Sequence, residues 1–209
     1  MNTKTELHEG SILLFSSKSF IARAIQFFQR NRYNHAGLLV KLFEEWYVAE
    51  AEARGLVLNK LADRLHGNKV LMLTPKFEGK PAEITKTVVP MVGKHRYDFF
   101  SLLFFQMIYT ITGWFNRPVW IGRRGNAAGK RLYCSEVCAL VYHVVYGMFS
   151  QWWKYNPAML YNSNQFTHHK VEVVFEQSIM PAPAHAGVQI NIEKPGFIIQ
   201  ELPEIEMAQ

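Results

Sequence analysis

Arg131-Leu132-Tyr133-Cys134-Ser135-Glu136-Val137-Cys138 is the stretch on which the reading of the fold turns. A glycine-rich basic loop, Gly122 to Lys130, ends there, and a strongly apolar helix from Cys134 to Met148 begins and closes near Gly147. A cysteine in the first turn of a helix faces unpaired backbone N–H groups and the positive end of the helix dipole, and both stabilise a thiolate. The same residue also fits an inert packed thiol, since free cysteine is among the most buried residue types. Cys134 is therefore a candidate nucleophile whose standing depends on what the rest of the chain can bring to it.

The bulk numbers narrow the field. With 209 residues, 49% hydrophobic and 19% charged, the chain suits a single domain, its core over about 8–180 and an extended tail over 181–209. A net charge of +6 favours anionic partners, but the basic residues are scattered and no nucleic-acid motif accompanies them. The two cysteines are four apart in one helix, a spacing that suits neither a disulfide nor, without a second ligand pair, a zinc site. The expectation is no metal and no cofactor. Met1 to Gly10 shows no apolar secretory core, which points to a cytoplasmic location, with membrane association as the variant. The Gly122–Lys130 loop departs from a phosphate-binding loop: Arg124 stands where a glycine is needed, and Arg131 where a Ser or Thr must reach magnesium.

Upstream of the cysteine helix the chain reads as β-rich. Ser11 to Phe15 is a short apolar strand bounded by Gly10 and serines. Phe20, Ile21, Ala24, Ile25 and Phe28 recur at helical spacing between Ser19 and Arg30, which predicts an amphipathic helix docked on the core. A membrane-surface role is its second reading. His35 to Val40 and Trp46 to Ala51 form a hairpin around Lys41–Glu45, followed by strands at Gly55–Leu58 and Lys69–Leu73, so the first half is an antiparallel sheet. Pro81 opens a helix running to Val92. Phe99 to Phe115 is apolar but shorter than a membrane-spanning helix needs and carries Gln106 at its middle, so it reads as a core or lid helix. Val171–Phe175 is a late strand, and Phe197–Ile199 one more in the tail.

A cysteine nucleophile needs an imidazole and a polar group that orients it. His143 lies nine residues along the same helix and so on its opposite face. His8, His66, His95 and His185 fall in loops or termini. His35 opens an apolar strand, and the neighbouring strand carries Glu50 between two alanines, with Glu52 on the same face as the competing carboxylate. His168 and His169, before the late strand, are the alternative bases.

The ordered series Gly10-Ser11-Ile12-Leu13-Leu14, Asn34-His35-Ala36-Gly37, Glu50-Ala51 with Gly55-Leu56-Val57, Tyr97-Asp98, Tyr133-Cys134-Ser135-Glu136 and Asn156-Pro157 resembles the circularly permuted papain-like hydrolases, the YiiX-like branch of the NlpC superfamily. That resemblance implies an α+β fold in which an antiparallel sheet or small barrel packs on the nucleophile helix. It implies Cys134 as nucleophile, His35 as base and Glu50 as the orienting residue. Tyr133, adjacent to the nucleophile, is a candidate contributor to the oxyanion site, and Ser135 is a site neighbour that serves the helix start. Ser11 replaces the acidic residue usual after the first glycine, and the Phe99–Trp120 segment is expanded, which leaves the substrate class open. The implied activity is hydrolysis of an amide in a cell-wall peptide or N-acyl amino acid through a thioester. A lipid-directed thiol esterase or acyltransferase at a membrane surface is the second reading, and a binding module with an idle triad the third.

Overall fold

The computed structural model describes residues 6–52, 54–66, 68–93, 96–97, 131–180 and 190–201. The Phe99–Trp120 segment, the Gly122–Lys130 loop and Asp98 lie outside them. Seven strands form one open sheet: β1 (Ile12–Ser16), β2 (His35–Leu42), β3 (Glu45–Glu52), β4 (Gly55–Lys60), β5 (Lys69–Pro75), β8 (Phe166–Met180) and β9 (Ile190–Glu201). Their order is β4-β3-β2-β1-β5-β8-β9, and every neighbouring pair is antiparallel. The sheet is thus open, with β4 and β9 at its edges, and not the closed barrel that the sequence left as an alternative. The short β6 (Arg96–Tyr97) and β7 (Arg131–Leu132) pair in parallel and set Tyr97 beside Leu132, two residues before Cys134. The strand expected at Phe197–Ile199 extends over the whole of β9.

Continuous apolar runs in β1 and β2 arise because both faces of the sheet are covered. On one face Ile12, Leu14, Ala36, Leu38 and Val40 pack against Ile84 and Val88 of α3 (Pro81–Val88) and Val137, Cys138, Val141 and Tyr142 of α4 (Cys134–Tyr146). On the other, Leu13, Phe15, Leu39 and Val48 meet Leu61 and Leu65 of α2 (Leu61–Leu65). Each fully buried Leu, Ile or Val on these faces contributes about 1.5–3 kcal/mol by leaving water.

The β2–β3 connection falls within the Lys41–Glu45 segment, with Phe43 and Glu44 both at positive φ (49° and 63°), as a tight two-residue hairpin turn requires. Helix α4 ends where the sequence places it, at Gly147, whose φ of 68° is a left-handed value that glycine adopts without a side-chain clash.

Gly37, at the centre of β2, is required by a close approach. A Cβ there would lie 2.5 Å from Val48 Cγ1 and 3.2 Å from Glu50 Cβ on β3. Gly37→Ala should therefore destabilise the protein by about 1–3 kcal/mol through forced repacking and push Glu50 off its partners. Urea denaturation checks this, and an unchanged midpoint contradicts it.

Candidate active site

Local hydrogen bonds fix where His35 begins its strand. The Asn34 backbone N–H donates to the Phe15 carbonyl at 3.0 Å, and Asn34 Oδ1 accepts the Ser17 N–H at 2.8 Å. His35 is then the first residue of β2, at the end of the sheet, with its ring 5.8 Å from that of Phe15. Its Nε2 donates to Glu50 Oε2 at 2.6 Å. The two come together because Gly37, not His35, is the register partner of Glu50, so the carboxylate reaches diagonally toward the strand start past a residue without a side chain.

Glu50 is fully buried, and a bare carboxylate there would be prohibitive. Three groups hold it. Besides His35, Asn59 Nδ2 donates to Oε1 at 2.8 Å, and Arg64 from α2 sets Nη2 2.8 Å from Oε2 and Nε 2.6 Å from Oε1. The Arg64 guanidinium also lies 5.0 Å from the Phe15 ring centroid, a cation–π contact that fixes it from above. Burial pushes the Glu50 carboxyl up, but the hydrogen bonds and charges of His35, Asn59 and Arg64 outweigh it and hold the group below its ordinary value. Glu50 is therefore an anion. Glu52, the competing carboxylate, accepts from Asn59 at 2.8 Å and pairs with Arg54 at 3.2 Å.

Cys134 opens α4 as expected, after the extended residue Tyr133, whose backbone N–H donates to Glu136 Oε2 at 3.3 Å. Its thiol and the His35 imidazole act on each other's ionisation through charge and hydrogen bonding. With Nε2 committed to Glu50, the ring nitrogen left for sulfur is Nδ1. Burial pushes the Cys134 thiol up, yet the His35 charge and hydrogen bond, with N–H groups of Ala36 and Ser135 directed at sulfur, bring it below its ordinary value. Conversely, burial depresses the His35 imidazolium, but the Cys134 charge and hydrogen bond and the Glu50 carboxylate overcome it and raise the group to about 10. Each charge thus favours the other, the imidazolium drawing the thiol toward thiolate and the thiolate holding the proton on the ring. Cys138, one turn along, donates its S–H to the Cys134 carbonyl at 3.5 Å, and burial raises its thiol well above the ordinary range.

This ion pair sets a pH dependence of stability. His35 is raised from 6.5, so its contribution is complete below 6.5 and lost as pH rises through about 10. Cys134 is lowered from 9.0, so its contribution is complete above 9.0 and lost as pH falls through its depressed value. Just below 9.0 both groups titrate with opposite sign and the two slopes cancel, whereas from 9.0 to about 10 only the His35 loss remains. Urea midpoints should level off just below 9.0 and fall between 9.0 and about 10; midpoints that rise through that interval contradict the pairing.

The other sequence candidates lie elsewhere. His168 Nε2 donates to the Tyr161 carbonyl at 2.9 Å, and His169 faces Met72 across β5 and β8. His143 Nδ1 donates to the Met148 carbonyl at 2.9 Å, beyond the far end of α4. Tyr133, expected beside the oxyanion, commits its only O–H to the Trp153 carbonyl at 3.2 Å. The Ser135 hydroxyl ties α4 to the Tyr155 carbonyl at 2.8 Å, leaving its backbone N–H as the group that serves sulfur. Asn156 caps α5 (Pro157–Tyr161), accepting the Met159 N–H at 2.8 Å. Sequence reasoning missed Asn59 and Arg64. The signal for them was physical: a buried carboxylate demands a countercharge, and Arg64 lies in the first helix after the strand that flanks Glu50.

No family model matches the sequence, and no curated protein matches it. Among solved structures, the chain is similar to the metalloprotein yiiX from Escherichia coli O157:H7, DUF1105, at 20% identity and a TM-score of 0.56, over 77% of this chain and 95% of that one. Metal binding belongs to that neighbour's description. In this chain, among the described residues, no three His, Cys, Asp or Glu side chains converge as ligands, and both Glu50 oxygens are held by His35, Asn59 and Arg64. What the likeness establishes is the architecture: the chain has a YiiX-like fold.

Proposed function

We propose that the chain is a thiol hydrolase of amide bonds, a permuted papain-like enzyme of the NlpC type with Cys134 as nucleophile, His35 as acid and base, and Glu50 as the residue that orients His35. The observation that carries this reading is an imidazole anchored by Glu50 at 2.6 Å on Nε2, whose charge and hydrogen bonding bring the Cys134 thiol below its ordinary value. A structural histidine needs one partner; a catalytic one needs a nucleophile and an orienting anion.

In the first step the Cys134 thiolate adds to the amide carbonyl carbon, and the carbonyl oxygen becomes an oxyanion near the N–H groups at the start of α4. His35 Nδ1–H then protonates the amide nitrogen, the C–N bond breaks, and the amine leaves a thioester on Cys134. Neutral His35 next takes a proton from water, whose oxygen attacks the thioester. Collapse returns the thiolate and the imidazolium and releases the carboxylic acid. The sum is amide plus water to acid plus amine. Glu50 stays ionised throughout, because Asn59 and Arg64 hold its charge independently of His35.

The test is amine release from a panel of N-acyl amino acids and cell-wall peptides, with wild type and Cys134→Ala compared at equal folded concentration. Release that depends on Cys134 is expected from at least one class. Equal rates in the two proteins, or release from none of the panel, would overturn the reading.

A further inference from the structure

From Gly10 to Phe43 the chain carries five basic residues and no Asp or Glu, against a whole-chain total of 17 acidic residues. Helix α1 (Phe20–Gln29) lies in the middle of this stretch and leads directly into Asn34 and His35. Among its described side chains, Ala22 is buried, 2% exposed, and Gln26, one turn on, is a polar tether. Gln26 Nε2 donates to the Ser17 carbonyl at 3.1 Å and the Arg32 carbonyl at 2.7 Å.

Arg23 and Phe27, four apart, share one helix face, and Arg30 is the left-handed residue that ends the helix; all three are exposed, Phe27 to 63%. Lys18 before the helix and Arg32 after it are exposed as well. An aromatic ring raised to solvent between arginines is the pattern of a helix that lies in the headgroup region of a bilayer, with the ring entering the acyl boundary and the cations meeting anionic lipid. A nucleic-acid groove would use the same charges but give Phe27 no apolar phase to enter.

We propose that α1 is a docking helix for an anionic lipid bilayer, with Arg23, Arg30, Lys18 and Arg32 as the electrostatic contacts and Phe27 as the inserted anchor. The docked orientation sets the start of β2, and with it His35, next to the lipid surface. Docking is a binding property and stands apart from the chemistry assigned to Cys134.

Co-sedimentation of the full chain tests it, with vesicles of phosphatidylcholine alone and of an equimolar phosphatidylcholine–phosphatidylglycerol mixture. Binding to the mixed vesicles only is expected, weakening as salt is raised. Arg23→Gln with Arg30→Gln should weaken it by about 25-fold, about fivefold per cation. Phe27→Ser should make the remaining binding disappear at a salt concentration the wild type tolerates. A control pair of exposed cations on other elements, Lys69→Gln with Lys86→Gln, should stay within about twofold. Should the arginine pair unfold, Arg23→Gln alone, with an expected loss of about fivefold, replaces it. The proposal is overturned by equal binding to both vesicle types, by binding to neither, by an arginine pair that binds as wild type does, or by single-stranded RNA captured where vesicles are not.

Discussion

Cys134→Ala should lower amide turnover by about ten-thousand-fold or more while leaving the fold in place, because loss of the nucleophile removes the thioester route and leaves only binding and the oxyanion environment. The companion variant Cys138→Ala should turn over within about threefold of wild type, since its thiol is raised by burial and serves packing. Turnover under saturating substrate, with thermal melting as the fold control, separates the two. Equal losses in both variants would mean that α4 matters as a packed helix and not through one sulfur.

Glu50→Gln is the second large effect, and it acts on stability and chemistry together. The substitution keeps the volume but removes the anion that Arg64 and His35 share, leaving the Arg64 guanidinium beside a neutral amide in a fully buried position. Breaking such a pair from one side costs about 3–5 kcal/mol. Because Arg64 is 30% exposed, the lower end is expected. The imidazolium also loses a raising influence, so the Cys134 thiol should move back toward its ordinary range. Urea denaturation reads the first effect and thiol titration the second. A variant with a wild-type midpoint and an unshifted thiol would show that the carboxylate is a bystander.

Much of this site was legible in the sequence because its elements announce themselves locally. Asn34-His35-Ala36-Gly37 opens an apolar strand, Glu50 sits between alanines on the neighbouring strand, and Cys134 follows a basic loop at a helix start. The antiparallel order of the first strands followed from short connections, such as the turn at Phe43 and Glu44. What stayed hidden depends on side-chain geometry across elements. The choice between Glu50 and Glu52 required the register that sets Glu50 opposite Gly37. Arg64 required knowing that α2 packs under β1, where Phe15 receives its guanidinium. Tyr133 looked like a site residue by adjacency alone, and only the position of Trp153 shows where its hydroxyl goes. The tether through Gln26 was not legible either, because apolar periodicity reports a helix's faces but not which polar side chain will reach the backbone beside it.

The central claim is that Cys134 is held as a thiolate by His35, and the pH dependence of its alkylation tests this most directly. Iodoacetamide labelling of the native protein, read separately at Cys134 and Cys138 by peptide mass spectrometry, should give a Cys134 rate whose acid midpoint lies below 9.0. Cys138 should stay unlabelled over the same range. A Cys134 rate that climbs with a midpoint at or above 9.0, in step with Cys138, would contradict the ion pair and the mechanism built on it.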